Sequence, residues 1–192
     1  MSILKVSRLG HPVLRIESER ISRERLASSA IQKLIDDMQE TMVEYYGVGL
    51  AAPQIHESLA IAVIESHGPR GDIPFTVLVN PEVTVLDEET VEDWEGCLSI
   101  PDFRGRVPRW RKLRVDALDR NGSKIQLTAE NFFARVIQHE FDHLMGKVYL
   151  DRMRDLRSLS HFAEFQRYWL PQEGGSPAAQ ALSGGRPEKD GR

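Results

Sequence analysis

Apolar residues recur at helical spacing between residues 24 and 46 of the chain. Gly47 follows the last of them and can end a helix, because glycine adopts the conformations that close a helix at its carboxyl end. The pattern predicts one long amphipathic helix over residues 24–46, with apolar positions at Ala27, Ile31, Leu34, Ile35, Met38, Met42 and Tyr45. Its methionines lie on this stripe, so we expect them to fill the core rather than to bind a metal.

Short runs rich in Val, Ile and Leu predict the strands of a sheet. The predicted strands span residues 59–65, 75–80, 83–85, 113–119 and 124–129. Between the third and fourth of these runs, the acidic span at 87–93 is expected to be a solvated edge. The last two runs alternate and are joined by a loop containing Asn121 and Gly122. Asn-Gly between alternating runs is a strong signal for a β-hairpin.

A second helical pattern covers residues 132–144. Phe132 and Val136 precede His139 on one face of this helix. The neighbouring face is also apolar and consists of Phe133, Ile137, Phe141 and Leu144. Because a helix that is apolar on most sides is buried, we expect this one to be central to the fold and to end at Gly146.

The end of the chain differs in composition from the rest. Asp155 is placed to cap a last helix that runs to about Leu170. Beyond it, Pro and Gly supply 8 of the 22 residues at 171–192, and Leu182 is the only large apolar residue. We therefore predict a single domain over residues 1–170, followed by a disordered tail at 171–192.

Composition and charge narrow the function classes. A net charge of −4 gives no general attraction for nucleic acid, so specific nucleic-acid binding is not predicted. No run of about 18 apolar residues is present and the N-terminal residues lack the apolar core of a signal peptide, so neither a membrane span nor a secretion signal is predicted. The single cysteine, Cys97, cannot form an internal disulfide, and the cytoplasm is the expected compartment.

Residues 138–144, Gln-His-Glu-Phe-Asp-His-Leu, carry the first candidate chemistry. His139 and His143 stand four positions apart, where a helix turns both imidazoles to one side to grip a metal ion. Glu140 follows the first histidine with a carboxylate that can accept a proton from a water at the metal. A pattern this short also arises by chance in an ordinary helix, so alone it does not identify a metal site.

Two further segments can complete such a site. Residues 47–54, Gly-Val-Gly-Leu-Ala-Ala-Pro-Gln, form a small-residue loop, and residues 95–99, Glu-Gly-Cys-Leu-Ser, hold the only thiol. A lone cysteine is most often a buried structural residue. With His139 and His143, however, Cys97 supplies a third ligand for a tetrahedral ion, and a catalytic site keeps the fourth position for water or substrate.

Together, the three segments resemble the peptide deformylase family. The family patterns GxGLAAxQ, EGCLS and QHExDHL match residues 47–54, 95–99 and 138–144 in the same order, and the similarity extends over residues 9–152. It implies an α+β fold in which antiparallel β-sheets pack around a central metal-binding helix, with a long N-terminal helix and a C-terminal helix. It also implies hydrolysis of the N-formyl group from the N-terminal methionine of nascent polypeptides, with release of formate.

The resemblance implies a role for single residues in catalysis. The implied metal ligands are Cys97, His139 and His143. They would hold one divalent ion per chain, with Fe²⁺ as the usual ion and Zn²⁺ or Ni²⁺ as substitutes. Glu140 would carry a proton from the attacking water to the leaving amine. The side-chain amide of Gln54 and the backbone N–H of Leu98 would stabilise the oxyanion.

The implied substrate is an N-formylmethionyl nascent peptide. It would lie extended along Val48 and Gly49 in the manner of an added strand. The residues expected to form the apolar pocket of its methionine side chain are Phe132, Val136 and Val48. Arg135 departs from the apolar residue that many relatives have, so either its stem lines this pocket or its head engages the peptide.

Further expectations concern the surroundings of the site. Arg104 is another candidate contact for the peptide. Glu95 and Asp142 are candidates for carboxylates that orient the metal-binding imidazoles. The ribosome is a candidate partner, through the last helix or the tail.

Two alternatives stay open at this point. In a zinc peptidase, Glu164 or His161 would provide the third ligand, and the motifs around Cys97 and Gln54 would be coincidence. In a catalytically silent module, the same cleft would bind peptides without cleaving them. The intact ligands and the presence of Glu140 disfavour this second alternative.

Overall fold

A computed structural model of the chain describes residues 2–170. Its helices are α1 (Arg23–Leu26), α2 (Ser29–Glu44), α3 (Asn131–Leu144) and α4 (Phe162–Tyr168). Its strands are β1 (Gly49–Ala51), β2 (Ile61–Ser66), β3 (Ile73–Cys97), β4 (Ile100–Leu118), β5 (Lys124–Glu130) and β6 (Ser160–His161). The predicted tail at 171–192 lies outside the described residues, so the predicted domain limits stay a prediction.

The first five strands form one antiparallel sheet in the order of the chain, and β6 pairs with β4. Strand β3 continues through the acidic span at 87–93, which is largely exposed and, among the described strands, pairs only with β4, in agreement with the predicted solvated edge. The span pairs with β4, and its carboxylates face arginines: Asp87 lies 2.7 Å from Arg111, and Glu92 lies 3.2 Å from Arg106. Backbone pairing and cross-strand charges, not burial, hold this part of β3.

The long helix predicted over residues 24–46 is divided into α1 and α2. Helix α1 ends at Leu26, and Ser28 begins α2 by accepting a hydrogen bond from the backbone N–H of Ile31 on its hydroxyl. A serine in this capping position has a non-helical backbone, which interrupts the helix. Met38 and Met42 of α2 are fully buried in the core, as predicted.

Helices α2 and α3 cover opposite faces of the sheet. Val77 and Val79 pack in the cluster that contains α2, while Leu78 between them packs in the cluster that contains Ile137 of α3. Alternate residues of a strand point to opposite faces, so the central strands are apolar on both sides. This places α3 in the interior, which confirms that the metal-motif helix is central.

The hairpin between β4 and β5 is confirmed, with Gly122 at a φ of +81° in its turn. The last helix is shorter than predicted. Asp155 caps only the 3₁₀ helix Leu156–Ser158, and α4 begins later because β6 intervenes to pair with β4. Within residues 2–170, no helix is long and apolar enough to span a membrane.

Candidate metal centre

Cys97 is the last residue of β3 and lies at the tip of the long β3–β4 hairpin. It pairs with Ile100 across a tight turn, and this turn brings the thiol against α3. Its Sγ lies 3.2 Å from Nε2 of His143, and the ligand atoms of Cys97, His139 and His143 all lie within 4.8 Å of one another. The structure therefore brings together the thiol and both imidazoles named from the sequence.

The chemistry of this donor set fits a divalent metal ion. One sulfur and two imidazole nitrogens form the protein part of a tetrahedral site with an open position. Burial raises the pKa of the Cys97 thiol, but the charges and hydrogen bonds of His143 and His139 outweigh burial and hold the pKa well below its usual range. A lowered pKa favours the thiolate, which is the form that binds metals.

The third ligand of the peptidase alternative is not found at this centre. Among residues 2–170, the side chains close enough to share an ion are Cys97, His139 and His143. His161 is exposed next to α4, where its Nδ1 accepts the backbone N–H of Ala163. Glu164 is exposed on α4 itself.

Glu95 lies behind His139 and fixes its orientation. Its Oε2 is 2.9 Å from Nδ1 of His139, which leaves Nε2 as the nitrogen free for a metal. Arg109 donates two hydrogen bonds to the same carboxylate, at 2.9 and 3.0 Å, and Arg135 donates a third at 2.7 Å. Burial raises the pKa of Glu95, but the bonds from His139 and Arg109 prevail and hold it well below its usual range. The carboxylate is ionised and orients the imidazole.

Asp142, the other candidate for this task, binds arginines rather than an imidazole. It lies 2.6 Å from Nη1 of Arg109 and 3.0 Å from Nε of Arg152. Arg109 thus bridges Glu95 and Asp142. Arg109 was not among the site residues predicted from the sequence. The strand pattern could have indicated Arg109. It stands two positions after Val107 in β4, so both side chains point inward, and a buried arginine needs acidic partners.

Glu140 points from α3 toward β1, which passes close to the helix. The residue is 4% exposed, and its Oε2 has no hydrogen-bond partner among the residues described. Burial raises its pKa to about 7. A Cβ on Gly49 would overlap this carboxyl group, at 2.7 Å from Cδ, so only glycine lets β1 and Glu140 share this space.

Gln54 lies in the 3₁₀ helix Ala52–Ile55 that follows β1, and it is buried. Its Oε1 accepts the backbone N–H of Ala51 at 2.8 Å, which fixes the orientation of the amide. Its Nε2 therefore faces the metal centre, 3.5 Å from Sγ of Cys97 and 3.4 Å from Oγ of Ser99. The donor group of the amide is aimed where a reacting oxygen can lie.

A cleft of about 670 Å³ opens over this centre. Its lining includes all of the predicted substrate contacts: Val48, Gly49, Arg104, Phe132, Arg135 and Val136. The head of Arg135 binds Glu95 and, at 2.9 Å, the carbonyl of Val107, so of the two alternatives the structure favours the one in which its stem lines the pocket. Trp94 and Phe162 also line the cleft and were missed, because they reach it through long-range packing.

Donors for one metal ion and an unpartnered buried carboxylate share a cleft of peptide size, a combination typical of metal-dependent hydrolases that act on amides. Comparison with known proteins narrows this class. The family model described as polypeptide deformylase matches residues 3–158. The chain belongs to the polypeptide deformylase family, metal-dependent hydrolases that remove the formyl group from the N-terminal methionine of new polypeptides.

Individual relatives agree over nearly their whole length. Peptide deformylase 1 of Nitrosomonas europaea is 44% identical over 164 residues, which cover 83% of this chain and 92% of that protein. Peptide deformylase of Desulfotalea psychrophila is 40% identical over 174 residues, which cover 90% of this chain and 100% of that protein. The structure of class I type b peptide deformylase from Acinetobacter baumannii bound to Met-Ala-Ser has a TM-score of 0.76 and 35% identity, and covers 79% of this chain and 99% of its own. These likenesses confirm the predicted α+β fold and the enzyme class.

Proposed function

We propose that this chain deformylates N-formylmethionyl peptides with one divalent ion held by Cys97, His139 and His143. The observation that carries the proposal is the cluster of these three donors beside the unpartnered carboxylate of Glu140. A thiolate with two imidazoles can hold Fe²⁺, Zn²⁺ or Ni²⁺; following the resemblance to the family, we propose Fe²⁺ as the working ion and Zn²⁺ or Ni²⁺ as substitutes. When bound, the ion polarises the formyl oxygen and makes an adjacent water more acidic.

Proton transfer is assigned to Glu140. A buried carboxylate whose pKa is near 7 can accept a proton from the attacking water and return it to the leaving amine. The oxyanion that develops on the formyl oxygen needs further donors. We assign these to Nε2 of Gln54 and the backbone N–H of Leu98, because both residues line the cleft and both adjoin Cys97, one through space and the other in sequence.

The peptide is proposed to lie along Val48 and Gly49, with its methionine side chain among Phe132, Val136 and the stem of Arg135. The Met-Ala-Ser bound to the Acinetobacter baumannii enzyme supports a short peptide with N-terminal methionine as the ligand of this cleft. The apolar residues fit a thioether chain, and the adjacent strand edge fits an extended backbone.

Because formylated chains are products of translation, we further propose a cytoplasmic enzyme that meets its substrate at the ribosome. The contact would be transient and would involve α4 or residues 171–192. Co-sedimentation of the full-length protein with ribosomes tests this contact, and complete absence from the ribosomal pellet at low salt would contradict it.

The role of Gln54 separates deformylation from other amide hydrolysis. Gln54→Ala is expected to retain its metal but to lose on the order of 10²-fold in kcat, the usual effect of removing one preorganised donor. Gln39→Ala, on the outer part of α2, is the matched control. Formyl-Met-Ala-Ser should lose formate while its internal peptide bonds stay intact. Full activity of Gln54→Ala, or internal cleavage of the peptide, would contradict the proposal.

The role of Cys97 is tested by Cys97→Ser. We expect metal content and activity to fall together, because the serine hydroxyl is a poor replacement for a thiolate ligand. Iron-loaded wild type should also lose activity in air, since oxygen attacks both ferrous iron and the thiolate. Full metal occupancy with unchanged activity in the variant would refute the ligand assignment.

A further inference from the structure

The two proposed oxyanion donors come from segments that are far apart in the chain. Gln54 lies in the 3₁₀ helix Ala52–Ile55 after β1, whereas Leu98 lies in the turn between β3 and β4. Within residues 2–170, β1 pairs with β2 and with neither strand of that hairpin. Sheet pairing between their segments therefore does not set the distance between the donors. Both donors must point at one oxygen, so other contacts have to fix this distance.

The contacts that join Gln54 directly to this turn are made by its own amide group. Nε2 of Gln54 lies 3.4 Å from Oγ of Ser99 and 3.5 Å from Sγ of Cys97. An amide nitrogen has two N–H groups, so at least one of these contacts is given up when Nε2 donates to the formyl oxygen. These contacts cannot maintain the geometry of the site during the reaction.

A segment near the N-terminus binds the backbone next to Gln54. We call residues 7–9, Ser-Arg-Leu, the N-terminal brace. The backbone N–H of Ser7 donates to the carbonyl of Gln54 at 2.7 Å. The Ser7 hydroxyl lies 3.0 Å from the carbonyl of Pro53 and 3.1 Å from that of Gln54. Ser7 is 2% exposed, so these hydrogen bonds are shielded from water and hold the 3₁₀ helix firmly.

The next two residues of the brace bind the turn that contains Leu98. The guanidinium group of Arg8 donates to the carbonyl of Leu98 at 2.6 Å. The backbone N–H of Leu9 donates to the carbonyl of Ser99 at 2.8 Å. Three consecutive residues thus link the two donor segments. All of the acceptors are backbone carbonyls, which take no part in donating to an oxyanion, so these bonds can persist while the substrate reacts.

We propose that the N-terminal brace sets the distance between the two oxyanion donors, with Ser7 and Arg8 as positioning residues. Ser7 holds the backbone that carries Gln54, and Arg8 holds the turn that presents the N–H of Leu98. Each side chain acts through the residue it binds. The inference rests on the proposed deformylase activity. Because Arg8 also lines the cleft, direct contact with the peptide is the competing explanation, which a comparison of kcat with KM distinguishes.

The role of Ser7 is tested with Ser7→Ala and formyl-Met-Ala-Ser. We expect kcat to fall by about tenfold with KM within about twofold of wild type, because a displaced donor loses transition-state stabilisation and not substrate binding. Ser18→Ala is the matched control, since Ser18 is also buried but its hydroxyl has no hydrogen-bond partner within residues 2–170. Wild-type kcat in Ser7→Ala would overturn the inference.

A double-mutant cycle shows whether Ser7 acts through Gln54. In a Gln54→Ala background, Ser7→Ala should lower kcat by less than about twofold, because the amide that Ser7 positions is already absent. The full tenfold loss in that background would overturn the inference. Thermal unfolding of each variant separates displacement of the donor from loss of the fold. Failure of wild type to release formate would instead refute the proposed function.

The exposed side chain of Arg8 provides a variant that is expected to fold normally. Arg8→Met should lower kcat by about fivefold, and Arg8→Lys, which keeps a cationic donor, should recover part of this loss. Calorimetric titration should show wild-type affinity for Met-Ala-Ser, which has no formyl oxygen. Lys5→Met, at an exposed cation of the same N-terminal segment, is the control. Unchanged kcat in Arg8→Met, or a loss confined to KM and to Met-Ala-Ser affinity, would overturn the positioning role.

Discussion

Two buried glutamates next to the metal-binding imidazoles, Glu95 of β3 and Glu140 of α3, are in opposite states. Glu95, which faces α3 from β3, accepts hydrogen bonds from Arg109, Arg135 and His139. Glu140, on the side that faces β1, has an oxygen without a partner among the residues described. Their residues are nearly equally exposed, at 6% and 4%, yet the pKa of Glu95 lies well below its usual range while that of Glu140 is raised to about 7.

Burial therefore does not decide what a carboxylate does at this centre. Burial alone raises the pKa of both groups, and the donors around Glu95 reverse its effect. A carboxylate saturated with donors stays ionised and holds an imidazole in place. A carboxylate without donors can take and release a proton near neutral pH. Arg109 and Arg135 bind Glu95 and keep it ionised, so this carboxylate supports the site. Glu140 lacks such partners and is left to transfer a proton.

The largest expected effect follows from removing the unpartnered carboxylate. Glu140→Gln should reduce kcat by about 10²–10⁴-fold, because the amide cannot accept the proton of the attacking water. Metal content should match that of wild type, since Glu140 is not among the three clustered donors. The measurement is formate release from formyl-Met-Ala-Ser together with elemental analysis. Glu57→Gln, an exposed site, is the control, and wild-type turnover in Glu140→Gln would contradict its role.

Removing an arginine that donates to Glu95 should lower the stability of the fold, whereas removing Glu140 should lower kcat. Arg109→Leu leaves Glu95 and Asp142 buried with fewer partners, and we expect the free energy of unfolding to fall by about 3–5 kcal/mol. Urea denaturation of the metal-free protein measures it. Arg111→Leu is the control on the same strand, because its ion pair with Asp87 is 46% exposed on the arginine side and is expected to contribute less than about 1 kcal/mol. Equal losses in both variants would contradict the importance of the buried network.

A smaller effect is expected where β1 approaches Glu140. In Gly49→Ala the added methyl group must displace the carboxyl group, and a displacement of about 1 Å can reduce kcat by up to about 10²-fold. Metal content should not change. Gly68→Ala, where a Cβ meets nothing within 4 Å, is the control. If the two variants have the same kcat, the close contact between Gly49 and Glu140 has no catalytic role.

Most of the fold was predictable from the sequence, as were Glu140, Gln54 and the carboxylates of Glu95 and Asp142, but the arginine that joins these two carboxylates was not. Glu140 and Gln54 lie in contiguous motifs, so short patterns suffice to name them. Arg109 reaches Glu95 only because β3 and β4 form a long hairpin, and Phe162 reaches the cleft only because β6 pairs with β4. Such partners depend on register between distant segments, which local spacing does not specify.

The errors in secondary structure have the same origin. Hydrophobic periodicity reports burial, so it detected α3 and the hairpin that precedes it. It did not indicate that strand pairing continues through the solvated acidic span at 87–93, because cross-strand arginines rather than apolar contacts stabilise that part of β3. Periodicity also continued past Ser28, where a local side-chain hydrogen bond divides the predicted helix.

The division of roles between the two glutamates is tested most directly by metal affinity. Zn²⁺ dissociation constants of wild type, Glu95→Gln and Glu140→Gln can be measured by competition with a chromophoric chelator. Loss of the Glu95 carboxylate should weaken binding by about 10–100-fold, because His139 loses the partner that orients it, whereas Glu140→Gln should bind as wild type does. Equal affinity in all three proteins, or weaker binding in Glu140→Gln than in Glu95→Gln, would contradict the assignment of structural support to Glu95 and proton transfer to Glu140.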